Sequence, residues 1–499
     1  MRREIAMLGL LLFASVAGAE ERGKASAVLL PVPDDATVTM SIWFKAGSQN
    51  DPAGKEGLAY LTGAMLSQGG TKNNKYDDIL KKLYPLASSY EIRVDKEMTT
   101  FGGRTHRDNF TKFSGLFADG YLRPAFSQDD FDRLKSDQIN YLKNTLRYAS
   151  DEELAKAAFH WFVFQGTPYQ YAPEGTVQGL ESITLEDVKA FYAQYFTRDN
   201  AVVALGGGFN KDAQAAFEKS VRSLPAGKPA PAAAPQPKAI RGRQVLLVSK
   251  PNADCTISFG CPVDVQRGMK DFYALWIANS WLGEHRNSSS HLYQVIRETR
   301  GLNYGDYSYI EAFPEAGGRR QPPANVGRRK QAFEVWIRTL PNAKGHFALR
   351  AAMREIKDLC DNGLTQEEFD LTRSFLSKYV LHFAETTSMR LGYAVDDQFY
   401  GLDKSHLEQF RTMMAQLTLA DVNNAIRKHL QYENLKIVMV TGDAENLKTA
   451  LAADAPSPIQ YDSEKPAAIL EADKQISTFP LGIAAENIQI VPVESVFEK

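Results

Sequence analysis

Cysteine is scarce, with three residues in a chain of 499. Three thiols fit no disulfide framework. Cys255 and Cys261 share one strand-like run, about 20 Å from end to end if extended, which is too far for a disulfide. Cys360 falls in a helical pattern, and all three are expected as buried thiols. Excess charge is also lacking: 58 basic residues face 60 acidic ones, which removes the electrostatic argument for nucleic acid or an anionic membrane surface. Long apolar runs are missing too. The stretch from Ile5 to Ala17 falls short of the roughly 20 residues a spanning helix needs. It follows Arg2 and Arg3 and ends at Ala17-Gly18-Ala19, with Glu20 beyond. That is the pattern of a secretory signal peptide, residues 1–19, and it predicts export to a bacterial periplasm.

What remains is ordinary globular material, 44% hydrophobic and 24% charged, and long enough for two or more domains. A composition break stands at Leu224 to Lys238 (LPAGKPAPAAAPQPK), rich in Pro and Ala with no periodic apolar face. It reads as a semi-extended linker, placed at 224–242. The same order of elements recurs on either side. An alternating run, Thr37 to Phe44, precedes a loop and the helical run Leu58 to Leu66; Cys255 to Phe259 precedes a loop and a helix from Phe272 to Leu282. Each half closes on a helix with Thr at its cap and Asp three positions on, Thr184/Asp187 and Thr418/Asp421, followed by a strand ending in glycine. The expected fold is α+β: two homologous lobes, 20–223 and 243–450, each a sheet packed against helices. Residues 451–499 form a proline-containing extended tail, whose run Ile488 to Val493 suits an added edge strand.

The stretch Gly47 to Leu66 (GSQNDPAGKEGLAYLTGAML) resembles the first helix of the pitrilysin/insulinase peptidases and of their processing-peptidase relatives. Gly166-Thr167-Pro168-Tyr169, Gly175-Thr176 and Asp187-Val188 through Tyr195-Phe196 resemble the end of that family's first lobe. Leu282-Gly283 and Arg297 to Gly305 (RETRGLNYG) resemble its second-lobe signature. The resemblance implies a processing-peptidase-like fold over most of the chain. Active members carry H-x-x-E-H on the first helix, two imidazoles one turn apart gripping zinc and a Glu activating its water. Here those three positions are Tyr60, Gly63 and Ala64. The family's further Glu ligand falls near Asn140 and Tyr141, and no carboxylate lies between Asp137 and Asp151. The eight histidines show no compensating cluster; His160 reads as a helix residue at the edge of a core. No metal or cofactor is therefore expected in this chain.

One catalytic element of the family is retained. An Arg and a Tyr seven positions apart, which in the family reach the substrate beside the zinc, match Arg297 and Tyr304. A guanidinium fork and a phenolic hydroxyl both suit an oxyanion forming on a peptide carbonyl. Such a chain resembles the zinc-less subunit of the family's two-subunit enzymes. That implies a partner bearing intact H-x-x-E-H and its zinc, a peptide or unfolded polypeptide substrate enclosed between the two, and an isolated chain without activity. Arg300, outside the seven-residue spacing, is expected to matter much less. The alternative is an exported binding or scaffolding protein with no peptidase role.

Overall fold

The computed structural model describes residues 26–314 and 319–499; the expected signal segment 1–19 lies outside them. The first lobe holds β1 (Ser26–Pro31), β2 (Thr37–Phe44), β3 (Ser89–Val94), β4 (Thr99–His106) and β5 (Ala201–Gly207), in sheet order β1-β5-β2-β4-β3. The second holds β6 (Arg243–Ser249), β7 (Cys255–Val263), β8 (Asp306–Tyr309), β9 (Gln331–Leu340), β10 (Leu435–Thr441) and β11 (Ile488–Pro492), in order β11-β6-β10-β7-β9-β8. Without β11 the two orders superimpose strand for strand, and in each sheet the first strand pairs parallel with the last while the inner pairs run antiparallel. The internal repeat is thus a repeat of topology. Both predicted capping boxes form, Thr184 with Asp187 and Thr418 with Asp421. The opening strands β1 and β6, which the pattern of alternation did not single out, complete each sheet.

Strand periodicity assigns the faces. Met40, Ile42 and Phe44 of β2 enter the first lobe's main core, while Trp43 enters a smaller cluster on the opposite face. That opposite face is where the lobes meet. The helix Thr387–Tyr400 of the second lobe lies on β1, β2 and β5, packing Leu391 and Val395 against Trp43, Val202 and Ala204. Reciprocally, the helix Asp151–Val163 of the first lobe lies on β7, β9 and β10.

The turn between β3 and β4 clasps the lobes together. Asp95 takes both arms of Arg328 (2.9 and 2.6 Å), and Glu97 accepts from the backbone N–H (2.7 Å) and Nε (2.6 Å) of Arg329 and from the hydroxyl of Tyr169. Burial alone would raise the Asp95 carboxyl; the Arg328 guanidinium overrides it and holds the group below its usual range. Cys255 and Cys261 are buried, Cys360 is half-buried, and none is in a disulfide.

The C-terminal segment differs from a merely extended tail. It contains a helix, Ala467–Ser477, built from good helix formers, and β11, which adds to the sheet edge parallel to β6. Its last residues reach the first lobe: Val177 and Gln178 donate their N–H groups to the carbonyls of Phe497 and Glu498 (both 3.0 Å), and Arg147 donates to the Val496 carbonyl (2.9 Å). The segment 225–242 contains no helix or strand. Limited proteolysis should therefore cut 224–238 well before the C-terminal segment. Equal cutting rates with no change in melting temperature would contradict this packing.

Candidate functional site

The helix Leu58–Ser67 opens at Gly57, whose φ of +106° and close approach to the Glu174 carbonyl leave no room for a side chain. Asp51 fastens this start, accepting from the N–H groups of Gly57 (2.8 Å) and Ala59 (2.7 Å). Tyr60 and Ala64 follow one turn apart. Tyr60 lines a cleft of about 500 Å³, and so does Tyr141, from the segment where the resemblance led the further ligand to be expected. Tyr60 and Tyr141 thus share one cleft, which Gly63, Ala64 and Asn140 do not line. Gly63 sits against β3: a Cβ there would lie 2.9 Å from Val94 Cγ2 and 3.2 Å from Ile92 Cγ2. Ala64 is buried in the core.

These residues do not fit a zinc ion. Tyr60 offers one phenolic oxygen, Gly63 and Ala64 offer nothing, and no carboxylate lies between Asp137 and Asp151. The same cleft contains a pair not recognised from sequence, His160 with Nε2 3.2 Å from Glu334 Oε2. His160 is a half-buried helix residue stacked on Phe164. Its partner comes from β9 of the other lobe, so no local spacing could have announced the pair. Two donors do not make a zinc site, and no group of three His, Cys, Asp or Glu suited to a metal occurs among the described residues. Lys96 closes one wall, donating to the Tyr171 carbonyl; burial, with the Arg328 charge added, brings its ammonium down to about 7.

Restoring the motif with Tyr60→His, Gly63→Glu and Ala64→His should therefore yield neither stoichiometric zinc nor cleavage. The Glu must displace Val94 and Ile92, at about 1–3 kcal/mol for the overpacking alone, and the further ligand is still absent. Elemental analysis and a peptide-cleavage assay check this. One equivalent of zinc in the triple variant, or in the native chain, would refute the reading of the site.

Arg297 and Tyr304 stand elsewhere, and neither lines the Tyr60 cleft. Arg297 lies on the π-helical turn Tyr293–Glu298, its guanidinium paired with Glu298 and 5.2 Å from the centre of the Tyr293 ring. Gly301, at φ +65°, ends the turn. Tyr304 follows at 78% exposure, just before β8. Arg300 behaves differently from the expectation for it. Its side chain is buried, donating from Nε to Asp473 (2.8 Å) and from Nη1 to the Val295 carbonyl (2.6 Å). It anchors the helix Ala467–Ser477 and is a structural residue.

Two lobes of this topology, with the first helix against an edge strand, define the metallopeptidase-like fold expected from the resemblance. Residues 27–175 match the family model described as insulinase (peptidase family M16), and 182–376 match the peptidase M16 inactive domain. The chain belongs to the pitrilysin/insulinase family, and its site is that of an inactive, non-peptidase homologue. It is similar to the "Non-peptidase homolog YmxG" of Helicobacter pylori (23% identity over 80% of this chain and 87% of that one). It is also similar to an uncharacterised zinc protease of Streptomyces coelicolor (24% identity over 68% and 70%). Among solved structures, the fold matches a peptidase M16 inactive domain from Pseudomonas fluorescens with a TM-score of 0.73 (24% identity, 84% of this chain and 96% of that one). It also matches a protease from Helicobacter pylori with a TM-score of 0.72 (19% identity, 84% and 97%).

Proposed function

We propose that this chain is the non-catalytic subunit of a periplasmic two-subunit zinc endopeptidase. It helps to enclose a peptide or unfolded polypeptide and lends Arg297 and Tyr304 to the zinc site of a homologous partner bearing intact H-x-x-E-H. The observation that carries this reading is the division within one chain. The positions that should grip metal are filled by Tyr, Gly and Ala, while the Arg/Tyr pair stands on the surface with Tyr304 largely exposed. Export rests on the signal-like N-terminus. Co-expression with an exported homologue carrying the intact motif should give a 1:1 complex that survives size-exclusion chromatography; failure of every such homologue to associate would contradict the proposal. The scaffolding alternative draws on one feature, the engagement of Arg297 with Glu298 and Tyr293, which a catalytic role must loosen.

A further inference from the structure

A second, larger cleft of about 780 Å³ opens on the face of the first sheet that points away from its main core. The helix Thr387–Tyr400 covers only the β1, β5 and β2 side of that face. Toward β4 and β3 that face forms the floor of the cleft, made of Thr39, Ser41, Ser89, Thr100 and Gly102. These side chains are small or absent. A Cβ on Gly102 would meet no atom closer than 3.7 Å. The walls are of another kind. Arg93 and Arg104 rise from the sheet, and Arg286, Arg319 and Arg320 face them from the second lobe. Glu91 is the one carboxylate among the described residues lining this cleft.

In a chain with nearly balanced charge, five guanidinium groups around one concavity are a concentrated positive field. Guanidinium forks match carboxylates in a planar, two-pronged geometry. The arginines come from both lobes, the floor between them is a sheet face, and the cleft's size falls in the range of ligand pockets, about 300–1,000 Å³. A point anion would need only two or three of them. An extended segment would use the length of the cleft, laying its backbone over the small floor residues and its carboxylates against both walls. Phe383 lines the same cleft, which places apolar surface beside the basic walls, and Tyr379, at the end of the helix Gln366–Tyr379, donates to the Arg320 carbonyl.

We infer that this cleft binds an acidic polypeptide segment, with side-chain carboxylates taken by Arg93, Arg104, Arg319 and Arg320. Binding here is a property of the isolated chain and does not depend on the reading of Arg297 and Tyr304. It is therefore tested without any partner. A fluorescein-labelled twelve-residue peptide alternating Glu with Val is titrated with the mature chain and followed by anisotropy. Its Lys/Val counterpart and inorganic phosphate are the competing probes. The acidic peptide should bind, and the basic one should not. Affinity should fall about tenfold or more in the Arg319→Ala/Arg320→Ala double variant, as expected for lost charge-assisted hydrogen bonds, and should fall again when salt is raised. Gly102→Leu adds bulk to the floor without changing charge. It too should weaken the acidic peptide, at a melting temperature matching the native chain. Three results would overturn the inference: equal binding of both peptides, acidic-peptide affinity unchanged in the double variant, or full displacement by low-millimolar phosphate with no effect of Gly102→Leu. The last marks a small-anion site.

Discussion

Arg297→Ala or Tyr304→Phe should lower turnover of the assembled heterodimer by roughly 10²–10³, the usual cost of removing one oxyanion donor. Folding and association should stay as in the native chain, because Tyr304 is 78% exposed and Arg297 engages Glu298 and Tyr293 of its own turn. The loss belongs in kcat if the contacts tighten in the transition state, and partly in KM if they also hold the ground-state backbone. Glu298→Gln is the informative companion. It releases Arg297 from its surface ion pair without removing a donor, so activity should be retained. If the two Arg297 and Tyr304 variants keep full activity in the heterodimer, the catalytic role falls and the scaffolding alternative stands.

Arg300→Ala should behave in the opposite way, with a large loss of stability. Removing the guanidinium leaves the Asp473 carboxylate buried with its charge uncompensated, still accepting from the Tyr461 hydroxyl (2.7 Å). Breaking such a pair from one side costs about 3–5 kcal/mol, and roughly 3–5 °C of melting temperature follows for a chain of this size. The helix Ala467–Ser477 should become the first site of proteolysis. Replacing both partners with apolar residues, Arg300→Met with Asp473→Leu, should recover part of the loss, since the uncompensated charge is then gone. A native-like melting temperature for Arg300→Ala would show that the pair does not hold the segment.

Arg300 also marks what a sequence can and cannot convey. Three positions from Arg297 and in the same signature, it looked like a neutral comparison. Its burial comes from Asp473, 173 positions away, and no local periodicity carries that. The lobes were legible because they rest on local rules: alternation in β2 and β7, capping boxes at Thr184 and Thr418, and an edge-strand pattern in β11. The absence of ligand types at the motif spacing is a property of the sequence itself; in the structure Tyr60 shares a cleft with Tyr141, and Gly63 and Ala64 do not line it. The helix Ala467–Ser477 escaped because flanking prolines were read as extended chain, although Pro466 stands at the cap, where proline is tolerated. The His160–Glu334 pair, the Asp95–Arg328 clasp and the arginine-lined cleft all join the two lobes. Such contacts depend on how one sheet meets the other and have no signature in either half alone.

The most direct measurement is peptide cleavage by an exported homologue with intact H-x-x-E-H, titrated with this chain at constant homologue concentration. The account predicts little cleavage by either protein alone, a rise in rate with added chain that stops at one equivalent, and no rise with the Arg297→Ala/Tyr304→Phe variant. A homologue that cleaves at its full rate alone, with no response to this chain across the titration, would contradict it.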